Sequence, residues 1–246
     1  MTRPLDQAQT LAGLVTQSGG KPILFPLLEI VPVPDYSSFD AVVNQLENFD
    51  WAIFISSNAV QHGMTRLLSR RSLPDKLRYA AVGPMTAAEL GTFGVKNVLI
   101  PTERFDSESL LNLPEMQVVA GKRYVIFRGI GGRDLLANTL TARGAGVAFA
   151  ECYQRINPNN DSQPLASLWN QGALHALVVT SSEALRNLLD LAKDAAWLKA
   201  TPIFVNHPRI AETASAQGLL AITASAPGDS GMLTTLETYF RKHEQH

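Results

Sequence analysis

Short apolar runs alternate with amphipathic stretches along this chain. Six runs stand out: Ala52-Ile53-Phe54-Ile55, Ala80-Ala81-Val82, Val98-Leu99-Ile100, Tyr124-Val125-Ile126-Phe127, Ala176-Leu177-Val178-Val179 and Ile203-Phe204-Val205. Each is too short for a helix, and most end at a Gly, Ser, Thr or Pro cluster, which predicts buried strands. Helical patterns fall between them, such as Asp134 to Ala142 and Glu183 to Ala192. Strands alternating with helices predict an α/β protein whose parallel sheets carry helices on both faces.

The pattern is written twice. Thr2-Arg3-Pro4 is echoed by Phe127-Arg128-Gly129, 125 positions on. Ser18-Gly19 matches Arg143-Gly144, and Ala52 to Ser57 matches Leu177 to Ser182, at the same spacing. Pro84 matches Pro208 and Gly94 matches Gly218, at 124. An ordered set of matches points to a duplicated, five-stranded, doubly wound unit. The copies differ at their start. Arg123 to Phe127 precede Arg128, but only Met1 and Thr2 precede Arg3, so most of one strand is unaccounted for. Two extended, Pro-containing stretches, Leu27 to Pro34 and Cys152 to Pro158, could leave the sheets as linkers.

Composition narrows the classes. Hydrophobic residues make up 46% of the 246, enough for a core and too many for a disordered chain. Lys and Arg total 21 against 22 Asp and Glu, so no basic excess suggests nucleic acid as a partner. Of the 21 basic residues 14 are Arg, the better fork for anionic groups. Cys152 is the single cysteine, which excludes an internal disulfide and a multi-cysteine zinc site and suits a reducing cytosol. Met1 to Asp6 lacks a signal-peptide pattern, and the apolar runs are too short for a membrane span. The five histidines, His62, His175, His207, His243 and His246, read as surface or tail residues.

Candidate chemistry lies in four loops that follow predicted strands, where helix N-termini favour anions. Ser56-Ser57-Asn58 and Thr180-Ser181-Ser182 occupy one place in the two copies. They either cap the next helix or bond a carboxylate. Arg128-Gly129-Ile130-Gly131-Gly132-Arg133 offers close backbone approach between two arginines, or is an ordinary turn. It fails the dinucleotide fingerprint because Asp134 stands where the third glycine belongs. Gly83-Pro84-Met85-Thr86 is the fourth, and His207-Pro208-Arg209 is its counterpart in the second copy. No nucleophile elbow, zinc-protease pair or phosphate loop is present. These features leave three readings: an enzyme acting on an anionic substrate, a nucleotide-dependent enzyme, and a two-lobed small-molecule binding protein.

Several motifs resemble those of uroporphyrinogen-III synthases. They are T-R-P at Thr2 to Pro4, P-L-L-E at Pro26 to Glu29, F-I-S-S-N-A-V at Phe54 to Val60 and A-V-G-x-x-T-A at Ala81 to Ala87. G-K-R-x-x-I-x-R-G-x-G-G-R at Gly121 to Arg133, L-x-x-R-G-A at Leu140 to Ala145, E-C-Y-Q-R at Glu151 to Arg155 and V-V-T-S at Val178 to Ser181 complete the set. Many bacterial relatives carry a Ser where His207 stands. The resemblance implies two swapped three-layer α/β/α domains with parallel five-stranded sheets. A two-stranded ladder would join them, with the active site in the cleft between. Residues 1–31 with 155–246 would form a discontinuous domain and 32–154 an inserted one.

The resemblance also implies an activity. The substrate would be hydroxymethylbilane, a linear tetrapyrrole with eight carboxylates, closed with loss of water and inversion of the last ring through a spiro intermediate. No cofactor or metal is implied. The expected partner is the small-molecule substrate alone, with no nucleic acid and no membrane, for a monomer in the cytoplasm. Tyr153 would help the hydroxyl leave. Arg3, Ser56, Ser57, Asn58, Gly83, Thr86, Arg128, Gly129, Gly131, Gly132, Arg133, Thr180, Ser181, Ser182 and Arg209 would bind substrate.

Overall fold

The computed structural model describes residues 1–243, so His246 lies outside the described residues. The chain divides into two compact units. Unit 1 comprises Met1–Glu29 and Ile156–His246, and unit 2 comprises Ile30–Arg155. The elements in chain order begin with α1 (Leu5–Gln17), β1 (Glu29–Pro32), α2 (Ser37–Val43), β2 (Trp51–Phe54) and α3 (Ser57–Leu68). There follow β3 (Arg78–Ala81), α4 (Pro84–Thr92), β4 (Val98–Leu99), α5 (Ser107–Leu111), β5 (Arg123–Gly129), α6 (Leu135–Ala142) and β6 (Gly146–Ile156). The last third contains α7 (Gln163–Asn170), β7 (Leu177–Val179), α8 (Ser182–Ala192), α9 (Ala196–Ala200) and β8 (Ile203–Val205). It ends with α10 (Pro208–Ala216), β9 (Ala221–Thr223) and α11 (Gly228–His243).

Unit 2 is built on a six-stranded sheet in the order β1-β6-β5-β2-β3-β4. The pairs β6·β5, β5·β2, β2·β3 and β3·β4 are parallel. Strand alternation divides the core. Ala52, Phe54, Val125 and Phe127 pack with Phe39 of α2 and Met64 of α3. Trp51, Ile53, Tyr124 and Ile126 pack with Leu110 of α5 and Leu140 of α6. Every side chain of β2 is buried, as a strand covered on both faces requires.

Unit 1 repeats this plan with less strand. Its sheet is β7-β8-β9, all parallel. Two further extended segments run beside β7. Thr2 N donates to Val178 O at 3.1 Å, and Phe25 N donates to Met1 O at 2.9 Å. With them the plan reaches five extended segments. The expected pair of five-stranded sheets therefore differs in detail. β1 adds a sixth strand to unit 2, and in unit 1 two segments are too short or irregular to count as strands. Leu177 and Val179 face α8, α9 and α10, while Val178 and Phe204 face α1 and α11.

The repeat has a local cause at its matched glycines. Gly19, Gly94, Gly144 and Gly218 each follow a helix and adopt φ of +84°, +81°, +87° and +74°. A left-handed residue ends a helix at little cost only when it lacks a Cβ. At the other helix ends, Pro84 and Pro208 occupy the first turns of α4 and α10, where a missing N–H costs nothing.

Candidate functional site

The predicted site residues stand at the carboxyl ends of the parallel strands or in the loops that follow, the ligand side of such sheets. In unit 2, Ser56 caps α3 by accepting from Ala59 N at 3.1 Å. Its Oγ also lies 3.2 Å from the Tyr153 hydroxyl. Arg155 Nη2 donates to that hydroxyl at 3.2 Å, and its guanidinium lies 5.4 Å from the Tyr153 ring centroid. Either hydroxyl can donate in the Ser56–Tyr153 contact; when Tyr153 donates, the Ser56 hydrogen is left for a ligand. Tyr153 itself is fully buried, not wet at a domain edge. The reason is Gly129, which pairs with it across β5 and β6. A Cβ on Gly129 would stand 2.5 Å from the Tyr153 ring. The Tyr153 hydroxyl is held between Ser56 Oγ and Arg155 Nη2.

Arg128 is 4% exposed, and its fork is occupied by its own loop. It donates to Asp134 Oδ1 at 2.6 Å, to Gly129 O at 3.2 Å and to Gly131 O. The Phe149 ring covers its other side, 4.7 Å away. Gly131 and Gly132 take φ of +74° and +104°, which wraps the loop around the guanidinium. Arg133 is exposed and pairs with Glu108 at 2.8 Å. Ser57 and Asn58 open α3, Gly83 caps α4, and Thr86 is buried inside it. A Cβ at Gly83 would stand 2.9 Å from Phe105 Cβ.

In unit 1 the equivalent loop is arranged differently. Ser181 caps α8 by accepting from Ala184 N at 3.0 Å, as Ser56 does for α3, and Ser182 follows it. Arg3 donates to Thr180 Oγ1 at 3.2 Å and pairs with Asp229. Arg3, Thr180 and Ser181 line a recess of about 300 Å³, with Asn206 on its wall. Arg209 is exposed in the first turn of α10. There His207 Nδ1 accepts from Arg209 N at 3.2 Å, doing for α10 what a Ser does elsewhere.

The structure thus joins Ser56 to Tyr153, and Arg3 to Thr180. It ties Arg128 to Gly129 and Gly131, and leaves Arg133 and Arg209 on the surface. Four participants escaped sequence reasoning: Arg155, Asn206, Asp229 and His62. The reading of all five histidines as surface or tail residues fails for His62, which is half-buried with its ring 5.8 Å from that of Tyr153. Position 62 lies one helical turn beyond Ser56-Ser57-Asn58, and that spacing was the available signal. Cys152 is no nucleophile. Burial pushes its thiol up to about 12. Among the described residues no cluster of three or more His, Cys, Asp or Glu could hold a metal ion. None of their helices is long and apolar enough to cross a membrane.

A family model described as uroporphyrinogen-III synthase HemD matches residues 9–234. Uroporphyrinogen-III synthases of Salmonella typhimurium and Escherichia coli are each 35% identical to this chain over 237 residues, covering 95% of it and 96% of theirs. A mutant uroporphyrinogen III synthase from Thermus thermophilus has a similar structure, with a TM-score of 0.61 at 19% identity. The match covers 98% of this chain and 97% of that one. The uroporphyrinogen-III synthetase of Helicobacter pylori gives 0.58 at 17% identity, over 89% and 93%. At these identities the structures speak for the fold, and they bear out the α/β class.

Proposed function

This chain belongs to the uroporphyrinogen-III synthase family, and on that premise we propose that it is a lyase closing hydroxymethylbilane to uroporphyrinogen III. The observation that carries this is 35% identity along 95% of the chain, which spans 96% of the relatives. The two units serve as the family's two domains. The enzyme works as a monomer in the cytoplasm, on a small molecule and with no nucleic acid or membrane as partner.

The chemistry suits the residues present. A pyrrole nitrogen pushes out the terminal hydroxyl once that oxygen receives a proton, leaving an azafulvene cation. The last ring attacks through its substituted carbon, and the spiro intermediate fragments and recloses with the ring inverted. Closure without the enzyme gives the uninverted isomer, so the protein's main task is to hold one conformation of the chain. The reaction draws on no cofactor, because the substrate supplies its own electrons.

Ser56 offers a hydrogen bond to the departing hydroxyl, with Tyr153 and Arg155 behind it orienting the Ser56 oxygen, while the proton that leaves with the water comes from solvent and is returned when the closed ring rearomatises. Arg3 and Thr180 take a substrate carboxylate in unit 1, with Ser181, Ser182 and the start of α8 adding N–H groups. In unit 2 the openings of α3 and α4, from Ser57, Asn58, Gly83 and Thr86, receive further carboxylates, as do Arg133 and Arg209 from exposed positions. Arg128, Gly129, Gly131 and Gly132 shape the loop beside them.

The test is the product isomer formed from hydroxymethylbilane by the purified chain. Uroporphyrinogen III formed faster than spontaneous closure is the expected result. The uninverted isomer at the spontaneous rate would overturn the assignment.

A further inference from the structure

Arg155 differs from the other arginines near the candidate site. Arg3, Arg128 and Arg133 each pair with a carboxylate, that of Asp229, Asp134 and Glu108 respectively. Among the described residues no carboxylate lies within ion-pair reach of Arg155. Its contacts are the Tyr153 hydroxyl, to which Nη2 donates at 3.2 Å, and the Tyr153 ring, whose centroid is 5.4 Å from the guanidinium carbon. Strand alternation places residues 153 and 155 on one face of β6, which is why the two meet. Tyr153 is buried and Arg155 is exposed. One phenol oxygen engages only part of an arginine fork, so the remaining donors and the charge are left for another partner.

The fold does not demand this pair. At the spacing that relates the two copies, Ser56 answers to Ser181, Tyr153 to Leu28 and Arg155 to Ile30. Both serines cap their helices in the same way. Leu28 and Ser181 share the recess of unit 1, as Tyr153 and Ser56 stand together in unit 2. Two apolar residues therefore satisfy the backbone and the capped helix in one copy. The phenol and the guanidinium are additions peculiar to unit 2. An exposed guanidinium without a carboxylate, fixed beside a buried hydroxyl, is suited to an anionic group of a ligand.

Resting on the proposed cyclisation of hydroxymethylbilane, we propose that Arg155 is a specificity-determining residue that binds the acetate carboxylate of the ring carrying the hydroxymethyl group. In that ring the acetate and the hydroxymethyl group stand on neighbouring carbons, so the departing oxygen and the carboxylate project side by side. Ser56 Oγ and Arg155 Nη2 contact one and the same phenol oxygen, and so lie no farther apart than two hydrogen bonds. A ring whose hydroxyl meets Ser56 therefore brings its acetate to Arg155, and the fork takes it while Nη2 keeps Tyr153. At the other end of the bilane the terminal carbon bears hydrogen, with a propionate beside it, and the same two contacts do not form. The pair of contacts thus selects which end of the chain enters and holds the departing oxygen in place.

Arg155→Gln in the full chain removes the charge from an exposed side chain, and its melting temperature should match the parent's. Its KM for hydroxymethylbilane should rise about tenfold, the loss of one charge-assisted hydrogen bond to a carboxylate, with a smaller change in kcat. The parent should lose the same factor on a hydroxymethylbilane in which methyl replaces the acetate of that ring. Arg155→Gln should lose nothing further on this analogue, because the two changes remove one contact. Added to Tyr153→Phe, Arg155→Gln should raise KM by the same factor, because the carboxylate contact does not pass through the phenol. A parental KM for Arg155→Gln, or losses that multiply when the variant meets the analogue, would overturn the proposal. So would an effect of Arg155→Gln on kcat alone that vanishes in the Tyr153→Phe chain, which would leave Arg155 as a positioning residue behind the phenol. A parent chain that forms no uroporphyrinogen III would overturn the cyclisation reading and this one with it, whereas a parental KM for Arg155→Gln beside a working parent overturns this inference alone.

Discussion

The strand leading to Arg128 runs seven residues, and the arginine at its end is buried and wrapped by its own loop. In unit 1 Met1 and Thr2 occupy the matching place, with Thr2 N donating to Val178 O. Arg3 stands half-buried at a recess with Thr180 and Asp229 beside it. The duplicated plan keeps what the backbone demands, namely the helix-ending glycines, the serine caps on α3 and α8, and the parallel register. Side chains at equivalent places are free to differ. One arginine holds a loop together, and the other faces a space that a ligand can enter.

The largest effect expected from breaking this contrast is on stability. Arg128→Ala leaves Asp134 and the carbonyls of Gly129 and Gly131 without their donor. Losing one partner of a buried charged cluster costs about 3 kcal/mol, discounted here because Asp134 is half exposed. Chemical denaturation should show that loss, and Arg128→Lys should recover little of it, since an ammonium cannot replace the fork. A parental midpoint for the Ala variant would mean that the loop does not depend on Arg128.

Next in size is the rate. Tyr153→Phe removes the hydroxyl behind Ser56, and kcat should fall about 10²-fold, the low end for proton donation, with KM nearly unchanged. Ser56→Ala should cost a similar factor. The double variant should be little worse than either, because both act on one hydrogen. Fully additive losses would separate the two residues, and a parental kcat for Tyr153→Phe would remove the tyrosine from the mechanism.

Arg3→Ala sharpens the comparison from the other side. Losing a charge-assisted hydrogen bond to a carboxylate should raise KM about tenfold, with stability close to parental. Parental KM and kcat would make Arg3 structural, like its counterpart.

Much of this was legible in the residues. The apolar runs located β2, β3, β5, β7 and β8, because strands so largely buried cannot hide in a polar pattern, and Val98-Leu99-Ile100 marked β4 although it is half-buried at a sheet edge. β9 was harder: Ala221, Ile222 and Thr223 are only half-buried at a sheet edge, so their pattern is weak. At the site, Ser56 and Ser181 carried a local signal, since a cap depends on residues three apart. The use of Arg128 was not local. It depends on Phe149 and on glycines curling back, contacts that only the folded loop creates. Asp229 meets Arg3 across 226 positions, a distance that spacing alone does not bridge.

The smallest expected effect concerns the amine of Met1. Burial pushes the Met1 amine down from the usual 8.0 to about 6. A base with a lowered pKa binds fewer protons in the folded chain than in the unfolded one between those values. Stability therefore rises with pH from about 6 to 8 and carries the full penalty below 6. Met1 is partly exposed, so solvent screening reduces the effect to about 1 kcal/mol. Lys21, His175, Glu237 and Arg241 line the same recess as Met1, so a pH profile of one chain cannot assign the change. A chain acetylated at the Met1 amine supplies the reference, because there the charge is removed while the other groups remain. Denaturation at pH 6 and pH 8 should show the stability gap between the two chains widening by about 1 kcal/mol at the lower pH. Parallel profiles would mean that the Met1 amine is as well solvated folded as unfolded.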